Sequence, residues 1–109
     1  LLTIQRARAR LRGELARLLD GRTVLMPTTP NVAPEIAPLE ADDATFGRVN
    51  LRSLRNTLMG NFLDMPGVAM PAGTDAGGMP TSILLSGDAG TDETVLGTAF
   101  GIERVFASL

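Results

Sequence analysis

Five residue types are missing from the sequence, and their absence excludes several kinds of chemistry. Histidine, cysteine, lysine, tyrosine and tryptophan do not occur among the 109 residues. Without cysteine there is no thiol to attack a substrate, form a disulfide or hold a structural zinc. Without histidine or lysine there is no imidazole base, Schiff base or Ser–Lys pair. Carboxylates, hydroxyls and arginine are the reactive groups that remain, and we expect neither a cofactor nor a metal.

The remaining composition is typical of a soluble globular domain. Hydrophobic residues make up 44% and charged residues 20%, and ten arginines face twelve acidic residues for a net charge of -2. Since aromatic residues account for only 4%, the core must be aliphatic. No apolar run approaches the roughly 20 residues of a membrane span. The absence of cysteine fits a reducing compartment, so we expect a cytoplasmic protein.

Apolar residues recur at steps of three and four in three segments, which predicts three helices. We expect these helices over residues 1–20, 45–61 and 91–107. Asp20 and Gly21 end the first, because glycine is the usual residue just past a C-cap. Polar side chains near the start of the other two are candidate N-caps. They are Asp42, Asp43 or Thr45 for the second helix and Thr91 for the third.

Three short apolar runs predict β-strands over residues 23–26, 68–70 and 81–86. The short Gly-rich connection between the last two favours an antiparallel pair. Four prolines follow the first strand and predict an extended, irregular segment up to the second helix. They are Pro27, Pro30, Pro34 and Pro38. The expected fold is α/β, a small mixed sheet of about three strands with helices packed on it.

The Gly-rich connection, residues 73–78, has two interpretations, a phosphate-binding loop or a turn. It matches neither GxGxxG nor the lysine-containing P-loop, and a strand rather than a helix N-terminus follows it. Its Asp75 would repel phosphate. These features favour the turn.

Clustered charges and hydroxyls also have structural explanations. The five arginines of the first helix could bind nucleic acid. However, the chain is acidic overall and has no lysine and no tyrosine or tryptophan to stack on bases. This composition favours a helix face that lies against solvent or against another part of the protein. Asp42 with Asp43, and Asp88 with Asp92, fit helix capping and loop solvation better than a metal or acid/base pair. The four serines lack a conventional activating base.

Asn56, Thr57 and Asn61 form the most informative polar cluster. Thr57 and Asn61 are four residues apart and share one face of the predicted second helix. Two interpretations stay open at this point. The cluster lines a pocket for an uncharged amide or acid, or it holds the nearby proline-rich segment.

Four segments, taken in order, resemble the amidase signature family and together cover essentially the whole chain. Residues 25–30 and 33–34 look like its L-x-P-T-x-P…A-P stretch, and residues 55–57 and 61–73 like its T…N…G-x-P-x-x-x-x-P-x-G segment. Residues 78–85 look like the following strand, and residues 92–103 like the last helix. Ser82 and Leu84 stand where glycine and glutamine are common, so the resemblance leaves the substrate class open.

The resemblance implies a single C-terminal region, residues 1–109, of an amide hydrolase whose N-terminal catalytic portion is absent. Family members use a serine, a second serine in a cis peptide and a lysine, all in an earlier region, so no catalytic residue is carried over. The implied pocket residues are Thr57, Asn61, Pro27 and Thr28. The implied partners are the catalytic portion of the same chain and a small amide.

We expect the isolated chain to be inactive and to self-associate, without nucleic-acid or membrane partners. The alternative is a stand-alone dimerisation module in which helix 1–20 pairs with its copy.

Overall fold

The structure is a computed structural model that describes residues 1–108. Its helices are α1 (Leu2–Leu19), α2 (Ile36–Ala41), α3 (Asp43–Leu63) and α4 (Asp92–Phe106). Its strands are β1 (Val24–Pro27), β2 (Gly67–Thr74) and β3 (Pro80–Ser86). The predicted α/β arrangement of helices with a three-stranded sheet is confirmed.

The strands lie in the order β1-β3-β2, with β3 in the centre. The predicted antiparallel pairing of β2 with β3 is confirmed, and it aligns Val68 with Leu85 and Met70 with Ile83. Because β1 also pairs antiparallel with β3, placing Leu25 opposite Leu85, the sheet is antiparallel throughout the described residues rather than mixed in strand direction.

The segment between β1 and α3 is less irregular than its prolines suggest, because it contains the short helix α2. Pro38 does not prevent this helix, since it lies in the first turn, where the missing N–H has no acceptor within the helix. The Gly-rich connection is also shorter than predicted. β2 runs to Thr74, with an irregularity in the pairing after Pro71, and residues 75–79 form the turn.

Asp42 is the N-cap of α3. Its Oδ2 accepts a hydrogen bond of 2.9 Å from the backbone N–H of Thr45. Thr91 occupies the N-cap position of α4, but its hydroxyl does not cap the helix and donates instead to the carbonyl oxygen of Asp88 over 2.6 Å. The expected capping by the Thr91 side chain is therefore wrong.

The core lies between α4 and one face of β2 and β3, and it is aliphatic as expected. Its buried members are Met70, Leu85, Val95 and Ala99. Half-buried Val68, Ile83 and Ile102 pack against them. Alternation along the strands places these side chains on one face of the sheet.

α1 packs against α3, and the two helices are joined by an ion-pair cluster at the end of α3. Asp64, in the left-handed conformation with φ 57°, ends the helix. Its carboxylate pairs with Arg8 and Arg12 of α1, and Arg12 Nη1 lies 3.0 Å from Asp64 Oδ2. The cluster joins the end of α3 to α1.

The chain forms a thin slab of 46 × 43 × 17 Å. Its accessible surface is 7732 Å², whereas a compact monomer of this size exposes about 5,800 Å². Many large apolar side chains are exposed, among them Leu18, Ile36 and Phe100. No helix within residues 1–108 is long and apolar enough to cross a membrane.

Candidate functional site

A cavity of about 250 Å³ with a mixed polar and apolar lining lies where β1 ends and the proline-rich segment begins. It is lined by Pro27, Thr29, Pro30, Asn31, Val32, Ala33, Pro80, Thr81 and Ser82. The chain leaves β1 along the start of β3, because the Thr28 N–H still donates to the carbonyl oxygen of Ser82 over 3.1 Å. The cavity is therefore framed by the sheet on one side and by the proline-rich segment on the other.

α3 holds this segment from the side through two hydrogen bonds. The Asn56 side-chain amide donates to the carbonyl oxygen of Pro27 over 2.8 Å. The Asn31 amide donates to Ser53 Oγ over 3.2 Å and to the carbonyl oxygen of Val32 over 2.9 Å. Ser53 and Asn56 lie one turn apart on α3 and so face the same element.

Two polar atoms at this site are buried without a hydrogen-bond partner among the described residues. They are Thr28 Oγ1 and Asn31 Oδ1. Buried polar side-chain atoms usually have a partner, and leaving one unpaired costs about 1–3 kcal/mol. The neighbouring Thr29 is satisfied, because its hydroxyl donates to the Asn31 carbonyl oxygen over 2.7 Å. These are the polar groups beside the cavity that the described residues leave without a partner.

The structure places the four predicted pocket residues differently. Pro27 lines the cavity and Thr28 adjoins it with its unpaired hydroxyl. Thr57 is half-buried, and its hydroxyl bonds back to the Leu54 carbonyl oxygen over 3.1 Å. Asn61 is exposed near the end of α3. The pocket roles of all four stay predictions.

Sequence reasoning missed Asn31 and Ser53, and it did not single out Asn56 from its neighbours. Asn56 performs the second role considered for the polar cluster, since it holds the proline-rich segment. Asn31 lies between two prolines of that segment, and a polar residue with an amide group in such a stretch was the available signal. Its contact with Ser53 joins residues 22 positions apart and has no local pattern.

The other sequence candidates have structural roles. Asp75 Oδ1 accepts from the N–H groups of Gly77 and Met79 at 2.8 and 2.9 Å, so the Gly-rich connection is the predicted turn. The Ser86 hydroxyl donates to the Pro66 carbonyl oxygen over 2.7 Å. Residues 1–108 contain no group of three or more acidic side chains placed to hold a metal ion.

The structure shifts the titration of the Asp42 carboxylate, and this residue too is structural. The side-chain hydrogen bond from Thr45 lowers the pKa of Asp42 below its ordinary 3.8, and the Thr45 backbone N–H and the Arg48 charge act in the same direction. The carboxylate is thus held ionised as a helix cap, at a position exposed to solvent.

Comparison with known proteins supplies the family. The chain is 35% identical over 91 residues to 2-amino-5-chloromuconic acid deaminase of Comamonas testosteroni, which covers 83% of this chain and 20% of that protein. It is 31% identical over 90 residues to fatty acid amide hydrolase of Arabidopsis thaliana, covering 79% and 14%. Mandelamide hydrolase of Pseudomonas putida is 31% identical over 83 residues, covering 75% and 16%.

The chain thus spans about a fifth or less of the length of these curated relatives. No solved structure matches it. Residues 1–96 match the family described as Amidase. The match extends over most of the sequence and includes both sides of the cavity, and the chain belongs to the amidase family.

Proposed function

We propose that this chain completes the substrate pocket of an amide hydrolase whose catalytic portion lies elsewhere in the same polypeptide. The reaction is hydrolysis of an amide to a carboxylic acid and ammonia or an amine. The observation that carries the proposal is the pair of unpaired buried atoms, Thr28 Oγ1 and Asn31 Oδ1, beside the cavity at the end of β1. An amide presents both an N–H donor and a carbonyl acceptor, and a hydroxyl with an amide oxygen can pair with both.

The residue types of the chain limit it to a positioning role. A serine nucleophile needs an activating base, and the chain has neither histidine nor lysine. Ser53 and Ser86 bond to amide and carbonyl groups, which do not activate a hydroxyl. In the parent enzyme a serine, a second serine and a lysine supplied by the catalytic portion perform the acyl transfer. The residues described above orient the amide for that attack.

The exposed surface and the flat shape of the chain support the proposal that it packs against another part of the polypeptide. The chain exposes about 1,900 Å² more than a compact monomer of its size, which is about twice the roughly 800 Å² that each partner contributes to a standard protein–protein interface. Its radius of gyration, 16.5 Å, exceeds the roughly 13 Å of a compact domain of this length. Both values fit one layer of a larger body.

A chimera tests the proposal. The segment of Pseudomonas putida mandelamide hydrolase that aligns with this chain is replaced by the present sequence, and ammonia release from mandelamide is measured. We expect hydrolysis by the chimera and none by the isolated chain.

In the chimera, Thr28→Val should raise KM about fivefold with little change in kcat, which is the effect of losing one hydrogen bond of about 1 kcal/mol. Thr94→Val, at an exposed position on α4, is the matched control.

Two results would contradict the proposal. One is amide turnover by the isolated chain that disappears when one of its own residues is substituted. The other is a folded, active chimera whose KM is unchanged by Thr28→Val and by Asn31→Ala. The first would place catalysis within this chain, and the second would remove the pocket role of the cavity.

The second candidate is a dimerisation module without catalysis, and the exposure of α1 favours it. Leu2, Ile4 and Leu18 are 62%, 58% and 75% exposed. Sedimentation velocity of the chain and of Ile4→Glu distinguishes the two functions. A dimer that this substitution dissociates, together with an inactive chimera, would favour the module.

A further inference from the structure

β2 has one open edge. It is bonded to β3 on one side and has no strand of residues 1–108 on the other. The Gly87 N–H donates to the Pro66 carbonyl oxygen over 3.2 Å, and antiparallel pairs alternate, so the backbone groups of Val68 and Met70 point toward β3. Those of Gly67 and Ala69 therefore point outward and are free to pair with another strand.

This edge carries no charged side chain, and its one protective feature is Pro71, where the regular pairing ends. Natural edges are kept short or carry charged side chains or proline. β1, the other edge, has only four residues and ends in proline. β2 has eight residues and no charge, and its Pro71 falls at the position whose N–H would point outward, at the end of the regular pairing.

An apolar groove lies beside the open edge, between β2 and α4. The groove has a volume of about 90 Å³, and Val68, Met70 and Ala99 are among the residues that line it. Leu96 and Phe100 also line it and remain 50% and 60% exposed. A strand added to β2 would place alternate side chains on these two apolar residues.

Carboxylates flank the groove at both ends. Asp92 lines the surface beside Gly67 and Val68, and Glu103 lines it at the Phe100 end. They lie eleven positions apart in the helix, about 16 Å along its axis, the length of about five strand residues. An incoming strand would therefore meet negative charge on either side of an apolar centre.

We propose that this edge binds an extended apolar strand with basic residues toward both ends, supplied by the part of the amide hydrolase outside these 109 residues. The inference rests on the proposed function for the source of the strand, and on the edge, the groove and the two carboxylates for its chemistry. A second copy of the chain matches less well. β2 has no basic residue, and antiparallel self-pairing would bring Asp92 toward Glu103 of the other copy.

A labelled peptide tests the edge on the full chain without any amide turnover. The probe has seven residues, with arginine at both ends, valine at the third and fifth positions and threonine elsewhere. Fluorescence anisotropy should show saturable binding that weakens with salt. Replacing both arginines of the probe by glutamate should weaken binding about tenfold or more.

Two protein variants separate backbone pairing from general adhesion. Ala69→Pro removes an outward N–H and should weaken binding about tenfold or more, whereas Ala69→Ser keeps it and should change binding less than about twofold. If circular dichroism shows that Ala69→Pro is unfolded, the unaltered chain is tested instead with two probes that are N-methylated on alternate residues. One probe is methylated on its odd-numbered residues and the other on its even-numbered residues, and only one of the two should lose binding.

Three outcomes would overturn the inference. They are no binding of the arginine probe at about 1 mM, equal binding of the arginine and glutamate probes, and efficient disulfide cross-linking between two copies of Ala69→Cys, which would assign the edge to a second copy. The chimera assay is unaffected by these results. Hydrolysis by the chimera without peptide binding would contradict only the proposed strand binding at the edge. Peptide binding without hydrolysis would contradict the proposed function.

Discussion

The side-chain amide of Asn56 donates a hydrogen bond of 2.8 Å to the carbonyl oxygen of Pro27. The two residues are 29 positions apart, on α3 and at the end of β1. The proline ring fixes its own φ, and the bond fixes the carbonyl that follows. Together with the hydrogen bond from the Thr28 N–H to the Ser82 carbonyl oxygen, this contact holds the chain where it leaves the sheet beside the cavity.

Replacing Asn56 by alanine should lower the free energy of unfolding by about 1 kcal/mol, because the Pro27 carbonyl loses its side-chain donor. Urea unfolding followed by circular dichroism measures the change. Asn50→Ala, on an exposed position of the same helix, is the matched control and gains the same helix propensity. Equal midpoints for the two variants would show that the bond contributes nothing.

Gly87 lies where β3 meets the turn that leads to α4. A Cβ at this position would lie 2.5 Å from Thr91 Oγ1 and 2.6 Å from Val95 Cγ2, which is part of the buried core. Gly87→Ala should therefore destabilise the chain by about 1–3 kcal/mol through overpacking. Gly13→Ala, in α1 with nothing within 4 Å, should stabilise it by about 0.5–1 kcal/mol. Thermal unfolding of both variants tests the opposite signs.

Asp42 makes stability depend on pH at low pH. Its folded pKa lies below the ordinary 3.8 because the Thr45 hydroxyl and N–H bond to the carboxylate. A lowered folded pKa means that the contribution is complete above the unfolded pKa and is lost as the pH falls through the folded value. NMR titration should place the Asp42 carboxyl below 3.8, and Thr45→Val should raise it.

The same dependence should appear in unfolding experiments. Asp42→Asn retains an N-cap acceptor but does not titrate, so its urea midpoint should fall less than that of the unaltered chain between about pH 5 and about pH 2. Asp43→Asn serves as the control, since Asp43 lies in the first turn and is not the cap. A parallel loss of stability in all three proteins would contradict the role of Asp42.

Local patterns were sufficient for most of the fold. The periodicity of α4 predicts Val95, Ala99 and Ile102 on the core face, and all three pack there. The same periodicity predicts Leu96 and Phe106 on that face, but they are 50% and 38% exposed. The reason is that β2 and β3 cover only part of the apolar surface of the helix, and the pattern does not tell which part.

The candidate site depended on contacts that no local pattern contains. The proline content predicts an irregular segment after β1, but the pairing of Asn31 with Ser53 and of Asn56 with Pro27 joins residues far apart in sequence. The order β1-β3-β2 is of the same kind, because the intervening α3 permits more than one placement of β1. The family resemblance implied a pocket near Thr28, and tertiary packing determined which polar atoms stay unpaired.

Thr28 and Thr29 are neighbours with opposite expectations for the same substitution. The buried Thr28 hydroxyl has no partner among the described residues, so Thr28→Val removes an unsatisfied polar group at nearly constant shape and should stabilise the isolated chain by about 1 kcal/mol. The Thr29 hydroxyl donates to the Asn31 carbonyl oxygen, so Thr29→Val should destabilise it by a similar amount. Urea unfolding of the two variants, in parallel with the chimera assay, shows whether Thr28 trades stability for amide binding. A destabilised Thr28→Val chain would mean that the hydroxyl has a partner within the fold and is not kept for a substrate.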